Sequence, residues 1–460
     1  MNQILYSSFI DVAQLYRKKE ISPVEVLQIV FERQEKLEPE LNAFISVWKE
    51  DAIKSAKKAE QMFLNGQETH LLTGIPFSVK DLFYTKDIKT TCGSNILRDF
   101  VPTYTATVVE KLQQTGAVLF GKNNMLEFAY GIVHPDYGQT NNPWDLTKTA
   151  GGSSGGSAAA IAAGIGYFSL GTDTGGSIRI PASYCGTVGL KPTYGLVSTY
   201  GVFPLSWSLD HVGTITKSVK ETAVLLNLIA GKNPYDSYSA GKDISFISLD
   251  IFEEIPPKKI GILPEFKLTS LDSEVKEIYI RTIKLAQSLG WDIETIDIEK
   301  WNLTEEMIMN LLLPEAAQIH EKWLDLKDQY APMTYQQIEM GLKHMALDYL
   351  KGVKAQKEFR EIVTKAMCDV DVVLMPTVAF PAPAEDPIIG DADQNEMTFT
   401  GPFNLSGHPA ITINMGFTST HLPVGIQLVG RHFGEKELLH VAHVLEENSG
   451  VRNRPAIVTS

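Results

Sequence analysis

The chain has 460 residues, with 41 lysines and arginines against 55 aspartates and glutamates, for a formal net charge of -14. That balance argues against nucleic acid or an anionic membrane surface as an obligatory partner, and 44% hydrophobic with 21% charged residues suits a protein with a sizeable core. Cys92, Cys185 and Cys368 are too few and too scattered for a disulfide framework or a cysteine zinc cluster, so a reducing, cytoplasmic location is expected, with no metal and no cofactor.

Residues 1–20 alternate polar and apolar without the pattern of a signal peptide, and no run of about twenty apolar residues predicts a membrane span. Tyr6 to Phe63 reads as helices; one starts at Ser22, with Pro23 first and Glu25 in the opening turn, and runs through Arg33. Ile75, Phe77 and Val79 alternate with Pro76, Ser78 and Lys80, which predicts a strand that buries one row and presents Lys80 on the other. Partial burial there would lower the pKa of Lys80 and let it act as a base. A helix over Ala106 to Gly116 and a short strand from Ala117 to Phe120 then begin a strand-helix alternation, the mark of an α/β fold.

Asn141 to Lys148 reads as a loop feeding a glycine-rich turn, and an alanine helix and a strand from Tyr167 to Gly171 follow it. A helix from Val219 to Ala230 and a loop-rich stretch from Asn233 to Pro257 come next. Lys258 to Leu263, Ser273 to Leu289 and Trp291 to Ile298 form a strand, helix, strand unit. Thr304 to Ala366 is mostly helical, and Asp371 to Met375 is a buried strand. Ala379 to Gln394, rich in Pro and Asp, reads as a loop at the mouth of a site. A terminal hairpin around Ile411 and Val429 and a helix from Glu435 to Glu447 close the chain. With no internal repeat and no linker, one domain over residues 1–460 is expected.

Chemistry concentrates between Gly151 and Ser177, where Gly151-Gly152-Ser153-Ser154-Gly155-Gly156-Ser157 and Asp173-Thr174-Gly175-Gly176-Ser177 bracket one helix and one strand. Two serine-bearing glycine turns suit acyl transfer, which needs a hydroxyl nucleophile and free amides to hold an oxyanion. A phosphate loop is discarded, because no lysine follows Gly156. Gly152, Ser154 and Gly156 satisfy G-x-S-x-G, so a Ser-His-Asp hydrolase with Ser154 as nucleophile and His211 or His408 as base is a second alternative. The third reading uses Lys80, Ser153 and Ser177: a neutral lysine takes a proton from one hydroxyl, which takes one from the other.

The residues also resemble the amidase signature family. The likeness runs through Val79-Lys80-Asp81, Asn142-Pro143-Trp144-Asp145, Gly151 to Ser157, Gly171-Thr172-Asp173, Gly175 to Arg179 and Ser208-Leu209-Asp210, and resumes at Asn404-Leu405-Ser406-Gly407 and Leu422 to Gln427. It is most specific over residues 65–215, a signature core, and weakest over 236–371, expected to face the substrate. The resemblance implies a single α/β domain on a large mixed sheet flanked on both faces by helices. It further implies a Ser-Ser-Lys triad with Ser177 as acylated nucleophile, Ser153, on a cis peptide, as bridge and Lys80 as base. The backbone amides of Thr174, Gly175, Gly176 and Ser177 would supply the oxyanion hole, with Ser154, Asp173 and Arg179 supporting. Met125, Phe128 and Tyr130 are candidates for the pocket wall.

Among relatives, the first 230 residues look most like the glutamine-hydrolysing component of glutamyl-tRNA amidotransferase, its A subunit. The arginine that grips glutamine is missing near Gln337 to Leu342, and Met397 stands where an aspartate is expected. The favoured expectation is an amidase acting on small, less polar carboxamides, and the glutamine-hydrolysing component is the alternative. A homodimer is left open.

Overall fold

The computed structural model describes residues 2–242, 244–256, 258–388, 395–451, 454–455 and 457. In chain order its strands are β1 (Phe44–Val47), β2 (Pro76–Lys80), β3 (Val118–Asn123), β4 (Asn141–Asn142), β5 (Asp145–Thr149), β6 (Phe168–Asp173), β7 (Val188–Lys191), β8 (His211–Thr216), β9 (Lys259–Ile262), β10 (Asp292–Thr295), β11 (Val372–Pro376), β12 (Ala410–Phe417) and β13 (Pro423–Gly430). Eleven of them make one sheet, ordered β1, β3, β2, β6, β8, β7, β12, β13, β11, β9, β10, while β4 and β5 pair apart from it. The sheet is mixed: β2 runs parallel to β3 and β6, and β9 parallel to β10 and β11. The pairs β6 with β8 and β12 with β13 are antiparallel. This is the single α/β domain with a helix-flanked mixed sheet that was expected.

Local signals hold where they are strong. Ser22 Oγ accepts the Glu25 amide at 3.1 Å while the Ser22 amide donates to the Glu25 carboxylate at 2.8 Å, a reciprocal cap. The helix it starts runs over Pro23–Leu41, beyond the expected end at Arg33. Tertiary context overrides weaker signals. All five residues of β2 are buried, not one alternating row, because β2 lies between β3 and β6 inside the sheet and both its faces are covered. Phe77 of β2 stacks on Phe168 of β6 with ring centroids 5.0 Å apart. The expected loop from Asn141 to Lys148 contains the β4–β5 hairpin, closed by the Asn142 side chain donating to Thr149 O at 3.2 Å.

Of the expected mouth loop, residues 389–394 lie outside the described residues. The part before them packs on the hairpin, with Thr149 N–H donating to Pro383 O at 2.9 Å and Thr149 Oγ donating to Asp386 at 2.9 Å. Among the described residues, no helix is long and apolar enough to cross a membrane.

Candidate active site

β2 ends on Lys80, a fully buried side chain whose Nζ lies 2.6 Å from Ser153 Oγ and 3.0 Å from Thr172 Oγ1. Burial lowers the Lys80 pKa to about 7, against the opposing pull of the Asp173 and Asp210 charges. The next residue, Asp81, holds the Thr91 amide at 2.8 Å and lies 3.7 Å from the buried Lys122 of β3, so the C-terminal ends of β2 and β3 are tied together beside Lys80.

Ser153 is delivered by the turn before helix Gly155–Ala162, and the Gly152–Ser153 peptide is cis, as the resemblance implied. The helix approaches the ends of β1 and β3 so closely that a Cβ on Gly156 would sit 2.5 Å from Ala43 O and Asn124 O. That explains a glycine at 156 without appeal to an unusual φ. Asn123, the last residue of β3, donates to Gly156 O at 3.3 Å and accepts from Ser169 Oγ at 3.0 Å and Ser157 Oγ at 3.3 Å, fixing the turn to the sheet.

The second glycine turn leaves β6 at Asp173 and enters helix Arg179–Cys185, a segment with no helical signal in the sequence. Asp173 and Arg179 pair in a fork, Nε to Oδ2 at 2.9 Å and Nη2 to Oδ1 at 2.8 Å. Burial pushes the Asp173 carboxyl up, but the guanidinium overrides it and holds the group well below the usual carboxylate range. The remaining Arg179 donors reach Gln427 Oε1 and Asn404 Oδ1, each at 2.6 Å, and Thr400 O at 3.0 Å. Gly176 has φ +143, and its added Cβ would collide with Thr400 Oγ1. Gly175 and Ser177 reach the surface of the site while their neighbours are buried. Among the described residues, the amides of Gly175, Gly176 and Ser177 have no acceptor, and the Ser177 hydroxyl has no hydrogen-bond partner. The two turns touch through the Ser154 amide, which donates to Ser177 O at 3.2 Å.

A pocket of about 110 Å³ is walled by Thr172, whose hydroxyl touches Lys80, by Thr174 of the second turn, and by Phe203, Trp207, Asp210 and Tyr238, among others. Met125, Phe128 and Tyr130, expected in the pocket wall, do not line this pocket. All three side chains are buried in the main core, Phe128 against Phe203, His320 and Tyr330, and Ala129 lines the pocket in their place. Phe128 and Ala129 both adopt left-handed φ, 55 and 59, uncommon for residues with a side chain. Met397 contacts the second turn, its Sδ 2.5 Å from where a Gly175 Cβ would stand.

The histidine alternative fails on geometry. Ser154 is fully buried and its hydroxyl donates to Thr172 O at 3.3 Å. The Nδ1 of His211 faces Leu209 O at 2.6 Å, and His408 stacks on His432 with its Nδ1 3.0 Å from Ser406 Oγ. Residues without an assigned role in the sequence complete the site. Thr172 touches Lys80, and Asn404 donates to Asp173 Oδ1 at 2.8 Å. Asp210 accepts the Thr174 hydroxyl at 2.6 Å, and burial raises its carboxyl to about 6. All three stand inside motifs that carried the resemblance, and that was their one signal.

A mixed α/β sheet carrying a buried lysine, two serine turns and an open set of amides defines a hydrolase acting on amides. The comparisons specify the family. The family model named Amidase matches residues 25–439, and the chain belongs to the amidase signature family. It is 39% identical over 467 residues to the A subunit of glutamyl-tRNA(Gln) amidotransferase from Picosynechococcus sp., covering 93% of this chain and 95% of that one. A crystal structure of an amidase is 32% identical, covers 96% of this chain and 99% of its own, and superposes with a TM-score of 0.85. The A subunit of the amidotransferase from Thermotoga maritima, also solved, is 31% identical, with 96% and 97% coverage and a TM-score of 0.79.

Proposed function

We propose that the chain hydrolyses the C–N bond of small, weakly polar carboxamides through an acyl-enzyme on Ser177, acting without partner subunits. The observation that carries this reading is the 2.6 Å contact between a fully buried Lys80 amine and Ser153 Oγ. With its pKa lowered to about 7, the amine is available in its neutral form near neutral pH. In that form it accepts the Ser153 proton, and Ser153 in turn takes the proton of Ser177 as the latter attacks the carbonyl carbon. The C=O electron pair moves onto oxygen, where the amides of Gly175, Gly176 and Ser177 receive it. Collapse breaks the C–N bond, the leaving nitrogen takes the proton back through Ser153, and water repeats the sequence on the ester to free the acid.

Identity to the glutamyl-tRNA(Gln) amidotransferase relative favours glutamine as the alternative substrate. The described lining of the pocket beside Thr172 and Thr174 carries no lysine or arginine for an α-carboxylate, and Met397 brings a thioether to Gly175. A desolvated carboxylate without a partner is costly, which disfavours the zwitterion. The test is a panel of aliphatic, aromatic and amino acid amides with Ser177→Ala as control. The proposal expects ammonia release from simple amides, an acyl adduct on Ser177 by mass spectrometry and loss of both in the variant. Glutamine as the preferred substrate, or turnover retained by Ser177→Ala, refutes it.

A further inference from the structure

We propose that Glu315, which lies 138 residues beyond Ser177 in the weakly matched middle of the chain, is the positioning residue that fixes the pocket wall and so sets which amides are accepted. The inference rests on the amidase reading of the same site. Glu315 sits on helix Thr304–His320 and is 1% exposed. It faces the segment from Leu205 to Asp210, which contributes Leu205, Trp207 and Asp210 to the pocket.

Three donors of that segment converge on the one carboxylate. Ser206 Oγ donates at 2.6 Å, the Ser208 amide at 3.1 Å and Ser208 Oγ at 2.5 Å. The Tyr349 hydroxyl adds a fourth bond at 3.2 Å, and Gln356, on the same helix as Tyr349, donates to Ser208 O at 3.0 Å. Inside the segment, Asp210 accepts the amides of Leu205 at 2.9 Å and Ser206 at 3.1 Å, closing it into a compact loop. The same Asp210 carboxylate takes the Thr174 hydroxyl at 2.6 Å. The loop is therefore one rigid piece, pinned from outside by Glu315 and joined at its inner end to the turn that carries Ser177.

What the pinned wall shapes is a space of about 110 Å³ lined by Leu82, Val202, Phe203, Trp207 and Tyr238 together with Thr172, Thr174 and Asp210. For scale, a cavity of roughly 150 Å³ lined by apolar side chains accepts benzene. The space suits one small ring or a branched aliphatic group. Released from Glu315, Trp207 and Leu205 lose their fixed position, and the discrimination between a ring and a methyl group goes with them. A carboxylate that takes four donors is poorly replaced by an amide, because the Ser208 N–H and the hydroxyls of Ser206, Ser208 and Tyr349 then compete for one acceptor oxygen.

The experiment compares benzamide with acetamide on the full-length chain, for wild type, Glu315→Gln and Ser206→Ala, with Ser177 labelling by a small fluorophosphonate measured alongside. Wild type is expected to favour benzamide in kcat/KM. Each variant should raise the benzamide KM roughly tenfold with kcat within about twofold, and should shift the acetamide KM much less. The double variant should fall short of the product of the two single effects, since Ser206→Ala removes one of the bonds that Glu315→Gln also weakens. Unchanged selectivity, or equal shifts for both amides with labelling intact, overturns the role of Glu315. If Glu315→Gln does not fold, Ser206→Ala is read by the same criteria. Failure of wild type to label at Ser177 instead strikes the underlying reading of the reaction, and the two failures are distinct.

Discussion

Replacing Arg179 with methionine tests how the turn bearing Ser177 is held. The guanidinium is fully buried and makes five bonds, two to Asp173 at 2.8 and 2.9 Å, two at 2.6 Å to Asn404 and Gln427, and one at 3.0 Å to Thr400 O. Removing one member of a buried pair costs about 3–5 kcal/mol, because the other charge stays behind unpaired, and stranded neutral acceptors add about 1 kcal/mol or more. We expect Arg179→Met to destabilise by about 5 kcal/mol. Unfolding entropy of roughly 2 cal/mol/K per residue makes about 1 kcal/mol equivalent to 1 °C in a chain of 460 residues, so the melting midpoint should fall by about 5 °C. The stranded Asp173 should then lose the influence that keeps its pKa low. Adding Asp173→Asn removes that charge and should recover part of the loss. Thermal melts and urea titrations of wild type, Arg179→Met and the double variant read this directly. A single variant melting within about 1 °C of wild type, or a double variant less stable than the single, refutes the argument that an orphaned charge dominates.

Two further outcomes follow from the geometry. If the neutral Lys80 amine is the base, kcat/KM falls tenfold per pH unit below about 7 and levels off above it, because only the deprotonated form accepts a proton; a profile flat down to pH 5 excludes it. Gly156→Ala places a methyl 2.5 Å from two backbone oxygens that cannot step aside, so it should cost about 1–3 kcal/mol or more and displace the Ser153 turn. Chemical denaturation and Ser177 labelling measure the two effects, and an unperturbed variant contradicts the close approach.

Much of the site was legible because its pieces are local. Glycines and serines at fixed offsets between Gly151 and Ser177 demand close backbone approach and offer hydroxyls, and both features survive in the fold. Lys80 was harder, being 73 residues from Ser153, and the alternation around it suggested a half-exposed strand. A strand buried on both faces loses that alternation, so β7 and β8, the latter with His211, Gly213, Thr214 and Thr216, gave no period to read. Helix Arg179–Cys185 was hidden by Pro181 and by its seven-residue length. Apolar residues do not declare whether they face core or cavity, and Met125, Phe128 and Tyr130 all lie in the main core cluster. Glu315 had no signal, since its donors on the pocket segment, Ser206 and Ser208, are more than 100 residues earlier in the chain.

The supports of Arg179 also impose an order in time. Thr400, Asn404 and Gln427 follow it by 221, 225 and 248 positions. At roughly 5–20 residues per second, a ribosome needs about 10–50 s to make that remainder after Arg179 itself is synthesised. Every group proposed to react is thus manufactured well before the scaffold that aligns it. Fragments ending before Gln427 are therefore expected to be inert although they contain Lys80, Ser153 and Ser177, and activity assays on truncated chains check this.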